Sequence, residues 1–213
     1  DVVLGFDHLE QYEENPNFFG STVGRSANRI GGAAFQIDGV TYHLTANENE
    51  NNLHSDFYHG FHKVLWNADM KDGENAVVFS YNSPDGENGF PGNLKISVAY
   101  TLKNGNSLQI SYDGISDKKT IINMTNHSYF NLAGHDAGSI CDEKMMIDAD
   151  AFTETDAELI PTGTVIPVEG TPMDFREGKK VAKEIGADYK PLKLAGGYDH
   201  NWVLNGSGFR KVA

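Results

Sequence analysis

Cysteine is almost missing from this chain: Cys141 is the one thiol in 213 residues. An intrachain disulfide framework and a zinc site built from several cysteines are thereby excluded. A lone thiol fits a reducing compartment, so a cytoplasmic location is expected. The chain starts at Asp1 rather than Met, and Val2-Val3-Leu4-Gly5-Phe6 already reads as a strand. An exported parent with a processed leader is therefore compatible as well. No apolar run approaches the ~20 residues of a membrane span. Positive charge is also scarce, with 17 Lys and Arg against 30 Asp and Glu and a net charge of -13. The cationic residues form no basic run, whereas nucleic acid and anionic membrane both require basic surface. Neither is expected as a partner.

Helical periodicity is nearly absent too. The best helical candidate is Lys179–Ile185, where Val181 and Ile185 lie four apart, one or two turns at most. Alternation is present instead. Leu94, Ile96, Val98, Tyr100 and Leu102 alternate with Lys95, Ser97, Ala99 and Thr101, which predicts a strand with one buried face. Val77, Phe79 and Tyr81 precede it across the turn-rich segment Ser83–Asn93. Leu108, Ile110 and Tyr112 follow Lys103-Asn104-Gly105-Asn106, a predicted hairpin turn. Further strands are expected at Thr120–Thr125, Lys144–Ile147, Val165–Val168 and Asn201–Leu204. Strands this close, without helices between them, imply antiparallel pairing. The expected class is all-β, a large sandwich or barrel, in a single domain over residues 1–213. The polar run Ala46-Asn47-Glu48-Asn49-Glu50-Asn51-Asn52 reads as a surface loop.

Five residues carry the candidate chemistry. His127 lies in Asn126-His127-Ser128-Tyr129-Phe130-Asn131-Leu132, at the end of a β-patterned stretch. An imidazole titrates near neutrality and can donate and recover a proton, and its neighbours can fix its tautomer. The plain alternative is a core histidine satisfied by those same groups. His54 follows the polar run, where loops on rigid scaffolds often carry function; alone it also suits a surface histidine. Asn28-Arg29 offers an amide and a guanidinium, donors in fixed directions for sugar hydroxyls, or else a structural arginine near Gly31-Gly32. Asp199, between Tyr198 and His200, can accept sugar hydroxyls, or cap a turn after Gly196-Gly197. His59 and His62 are three apart, but a zinc site needs three or four ligands and no local set supplies them. Neither a phosphate loop nor a GxSxG nucleophile elbow is present.

Together these segments resemble the aldose 1-epimerase (galactose mutarotase) family. The matching stretches run collinearly through Gly24-Arg25, Ala27-Asn28-Arg29-Ile30, Asp38-Gly39, Tyr42-His43-Leu44, Asn52-Leu53-His54 and Gly60-Phe61 with Trp66. They continue through Asp85-Gly86, Gly89-Phe90-Pro91-Gly92-Asn93-Leu94, Thr125 to Leu132, Pro161-Thr162-Gly163, Asp174-Phe175-Arg176 and Gly197-Tyr198-Asp199-His200-Asn201. The resemblance implies a large antiparallel β-sandwich that interconverts the α and β anomers of aldohexoses such as galactose and glucose, with no cofactor and no metal. It assigns His127 as the acid at the ring oxygen and His54 as the group that binds and polarises the sugar. Asp199 and Arg29 would hold hydroxyls, with Asn28 beside them.

The same resemblance places a glutamate base well after the Tyr-Asp-His-Asn motif, and further strands ahead of Asp1. The chain therefore reads as an internal fragment, incomplete at both ends, with impaired catalysis. Unpaired sheet edges would then be open to self-association. A non-catalytic sugar-binding module on the same fold is the alternative reading.

Overall fold

Alternation in the sequence becomes antiparallel pairing almost throughout the computed structural model, which describes residues 1–213. The all-β expectation is borne out: the α-helices are two six-residue segments, α1 (Leu9–Glu14) and α2 (Lys190–Ala195). Neither is long and apolar enough to cross a membrane. The chain divides into two compact units, Phe6–Ser128 and Asp1–Gly5 with Tyr129–Ala213.

The first unit, Phe6–Ser128, holds α1 and ten strands. They are β1 (Thr22–Val23), β2 (Arg29–Ile30), β3 (Ala34–Ile37), β4 (Val40–His43), β5 (Asn52–Leu53), β6 (Asn67–Lys71), β7 (Ala76–Ser83), β8 (Leu94–Lys103), β9 (Ser107–Ser116) and β10 (Thr125–Asn126). The main sheet has the order β6-β7-β8-β9, every neighbour antiparallel. Its β8–β9 hairpin closes where expected, with Lys103 paired to Ser107 and positive φ at Gly105 and Asn106. On β8 the expected face is buried at Leu94, Ile96 and Val98, but Leu102 on the same face is 54% exposed. The apolar alternation thus outruns the core. Leu94 and Ile96 pack on Phe61, with Trp66, Tyr81 and Met124 around them.

Arg25, in the same unit, is fully buried. A buried guanidinium is tolerated only when its donors find acceptors. Here Nε donates to Ser83 Oγ at 2.9 Å, one terminal nitrogen to the Pro91 carbonyl at 2.9 Å, and the other to the Pro84 carbonyl at 2.9 Å. One residue thereby ties both ends of the Ser83–Pro91 turn.

The second unit contains α2 and five strands, β11 (Lys144–Met145), β12 (Ala149–Thr155), β13 (Pro161–Pro167), β14 (Lys179–Lys180) and β15 (Trp202–Leu204). β12 is central in a three-stranded antiparallel sheet of order β13-β12-β15. Phe152, Val168, Met173 and Leu192 form its core under Tyr198 and Trp202. The Trp202 indole N–H reaches the Met173 carbonyl at 3.1 Å, which satisfies its polar end.

Several local expectations are corrected. The helical candidate at Lys179–Ile185 is a short bridge followed by one 3₁₀ turn, Val181–Lys183. Val181 is buried there, but four-residue spacing over one turn cannot sustain an α-helix. Thr120–Thr125 is a strand only at its end, because Asn123 bonds to the Arg25 and Ala27 backbones at 2.8 and 2.6 Å instead of entering a long ladder. At the N-terminus only Val3 makes a bridge, to Phe130. The polar run before His54 is no plain solvated loop. Asn51 and Asn52 are buried, and Asn52 Nδ2 donates to the Thr45 and Ser55 carbonyls at 2.8 and 2.6 Å.

Candidate active site

In the unit Phe6–Ser128, two sequence-distant segments are laced together by hydrogen bonds. β2 and β5 pair through Arg29–Leu53 and Ile30–Asn52. Three residues before Arg29 and two after Leu53, the buried Ser55 hydroxyl accepts from the Ser26 N–H at 2.9 Å and donates to the Ser26 carbonyl at 3.0 Å. Between these ties the backbone turns through positive φ at Asn28, His54 and Ser55. Such conformations persist only where their surroundings over-determine them, and they concentrate at functional sites.

The result fixes His54 at both ends. Its backbone N–H donates to the Asn28 carbonyl, and its ring Nδ1 accepts from the Asn28 N–H, both at 3.0 Å. A backbone N–H can only donate, so Nδ1 is unprotonated and the proton of the neutral ring sits on Nε2. Burial, then the neighbouring His127, Arg29 and His62, push the His54 pKa down to about 4. At neutral pH this imidazole is uncharged and offers Nε2–H as a donor.

His127 approaches from the opposite segment. Its backbone N–H bonds to the Ser21 carbonyl at 2.8 Å, next to the β1–β10 pairing of Thr22 with Asn126. The His54 and His127 rings meet edge to face, centroids 5.3 Å apart and planes at 88°. The neighbours expected to fix the His127 tautomer have other roles in part. The Asn126 carboxamide reaches the Tyr100 hydroxyl and the Ser128 N–H.

Arg29 is aligned by a carboxylate that sequence reading did not single out. Its Nε and one terminal nitrogen meet the two oxygens of Glu48 at 2.5 and 2.7 Å, a bidentate pair. Asn28 Oδ1 accepts from the Arg29 N–H at 2.8 Å, so the amide supports the turn. The first unit thus brings together four of the five candidate residues: Asn28, Arg29, His54 and His127. Asp199 lies in the second unit, exposed, its N–H facing the ring of His200 at 3.2 Å. His59 and His62 go separate ways. His59 is an exposed ring bonded to Asp56, and His62 Nε2 lies 3.1 Å from the Phe57 carbonyl.

Sequence reading also missed Phe18, whose ring contacts both His54 and His127. It sits in an irregular turn with no periodicity to mark it. Glu48 could have been found, since an acidic residue close before a histidine on a polar loop is a visible signal.

The aldose 1-epimerase family profile matches residues 1–213. Galactose mutarotase of Rattus norvegicus is 45% identical over 211 residues, covering 99% of this chain and 59% of the relative. Aldose 1-epimerase of Escherichia coli K12 is 37% identical over 214 residues, covering 100% of this chain and 61% of the relative. The crystal structure of galactose 1-epimerase from Lactobacillus acidophilus NCFM is 32% identical and superposes with a TM-score of 0.86, covering 97% of this chain and 61% of that one. The chain therefore spans about three-fifths of the length of the proteins it matches. Matched along its whole length, the chain belongs to the aldose 1-epimerase family.

Proposed function

We propose that this chain carries the acid side of a mutarotase site, in one mutarotase-like domain, and acts on an aldohexose by opening and reclosing its ring. The observation that carries the reading is the His54–His127 pair: two imidazoles in edge-to-face contact, one of them held neutral and locked in a single tautomer. Opening a hemiacetal needs a proton at the ring oxygen and removal of the proton from the anomeric hydroxyl. His127 delivers the first proton, and the C1–O5 bond breaks as the C1 hydroxyl becomes the aldehyde. Rotation about C1–C2 exposes the other face of the carbonyl. Reclosure returns the O5 proton to His127 and reprotonates O1.

His54 cannot share the acid role at neutral pH, because it is uncharged and its Nδ1 is occupied. Its Nε2–H serves instead as a donor to a sugar oxygen. Arg29, held flat by Glu48, donates to hydroxyls. Both oxygens of Glu48 pair with Arg29, so Glu48 orients the guanidinium. The proton from O1 passes to a base other than this imidazole pair.

Polarimetry of freshly dissolved α-D-galactose, with this protein and with His127→Ala, tests the reading. Acceleration over buffer should fall by about 10²–10⁴-fold in the variant while sugar affinity is largely kept. Sugar binding without any acceleration in the unaltered protein would sink the catalytic assignment and leave a sugar-binding module.

A further inference from the structure

We propose that Phe18 is a positioning residue for the reaction, seating the His54 and His127 rings against one another and keeping water from between them. The inference rests on the mutarotase reading of that pair. The Phe18 ring touches three imidazoles: centroid distances are 5.0 Å to His54, 4.5 Å to His62 and 5.5 Å to His127. Phe57 lies at 6.0 Å, completing an apolar wall.

The backbone holds Phe18 there against its own preference. Its φ is +58°, a conformation uncommon for a bulky side chain. The turn that imposes it is pinned repeatedly. Asn15 is buried, and its side chain bonds to both the N–H and the carbonyl of Phe19. The Phe18 N–H reaches the Asn15 carbonyl at 3.1 Å, and the Phe18 carbonyl takes the Ser21 N–H at 3.0 Å. The next link reaches the proposed acid: the Ser21 carbonyl accepts the His127 N–H. One turn thus places the phenyl ring and the acid together.

The electrostatic consequence concerns which imidazole is charged. His54 faces His127, Arg29 and His62, which oppose its protonation, and Glu48, which favours it more weakly. The largest influence is burial, and Phe18 supplies an apolar surface at that ring. His62, against the same phenyl ring, is likewise pushed down by burial; the Phe57 carbonyl and Asp56 favour its charge, and Lys63 and His127 oppose it. With both neighbours neutral, a proton on His127 meets no adjacent imidazolium. Phe18 also lines a cavity of about 600 Å³ with Phe57, Tyr58 and His62. Truncating Phe18 would open the imidazoles to solvent from that side.

NMR titration of the histidine ring signals tests this in the unaltered chain, Phe18→Ala and Phe18→Leu. The His54 midpoint should rise from about 4 in the unaltered chain toward the ordinary 6.5 in Phe18→Ala, and stay low in Phe18→Leu, which keeps apolar bulk. In mutarotation assays Phe18→Ala should lose roughly tenfold to a hundredfold in kcat, with the acid limb of its pH profile moved to higher pH. Phe18→Leu should recover most of the rate. An unmoved His54 midpoint in a folded Phe18→Ala chain would overturn the proposal, as would a change confined to KM. The titration needs no turnover. Absence of mutarotation in the unaltered chain would count against the mutarotase reading, and the titration would still decide the role of Phe18.

Discussion

At the scale of single residues, the site divides labour between groups of similar chemistry. His54 and His127 are both imidazoles, yet Asn28 occupies one nitrogen of His54 and burial keeps that ring neutral. The donor role and the acid role proposed for them would therefore be separated by environment rather than by residue type. Arg29 shows the same dependence on a neighbour. Its bidentate bond to Glu48 fixes the plane of the guanidinium. Replacing Glu48 by Gln should keep one hydrogen bond but release that plane. We expect KM for galactose to rise several-fold with kcat little changed, the pattern of lost uniform binding. Steady-state polarimetry over a galactose concentration series decides it; a fall in kcat at constant KM would assign Glu48 a direct part in the chemistry.

At the scale of elements, short pairings place the chemistry and long ones supply the frame. The two-residue strands β2, β5, β1 and β10 carry Arg29 and end beside His54 and His127, while the ten-residue strands β8 and β9 carry none of the candidate residues. The long sheet also leaves β9 at an edge, with Leu108 56% and Ile115 69% exposed. An edge strand with unpaired N–H and C=O groups and apolar side chains is a template for association. We expect sedimentation velocity to show association increasing with protein concentration, and Ile115→Lys to suppress it without loss of the far-ultraviolet β spectrum. Equal association by the variant would clear this edge. The two six-residue helices carry no candidate residue either, although the chain continuing from α1 turns through Asn15 to place Phe18.

At the scale of the whole molecule, buried histidines and ion-paired carboxylates couple stability to pH in two windows. His54 binds its proton near 6.5 when unfolded and near 4 when folded. The unfolded chain thus takes up the proton first as pH falls. Stability is fully present above pH 6.5 and is lost progressively as pH drops through about 4. His62 and His200, also held down by burial, act with the same sign. Asp85, Asp142 and Asp174 are lowered chiefly by lysine or arginine partners, and their contribution is lost only below the ordinary carboxylate range. Urea midpoints between pH 7 and 4 should therefore fall, and His54→Asn, whose side chain can still accept the Asn28 N–H, should flatten that slope. Parallel slopes for the two proteins would show that His54 does not carry the dependence.

Much of this was legible in the sequence. Period-two alternation at Val77–Tyr81, Leu94–Leu102 and Leu108–Tyr112, with Gly105-Asn106 at the turn, determined the main antiparallel sheet, because side-chain period and turn chemistry are local properties. Ordered motifs pointed to His54, His127, Asn28, Arg29 and Asp199 as a set. What alternation could not determine was where burial stops: Leu102 continues the pattern but not the core, since burial depends on what packs above the strand. Nor could it reveal that Glu48 squares Arg29, that Asn28 selects the His54 tautomer, or that Phe18 sits against three imidazoles. Those contacts join residues 19, 26, 36, 44 and 109 positions apart in the chain. The sequence by itself determined the strands and the chemical inventory, whereas charge state, tautomer and orientation arose only when folding removed water and brought distant segments together, because solvation and hydrogen-bond geometry are properties of the packed site.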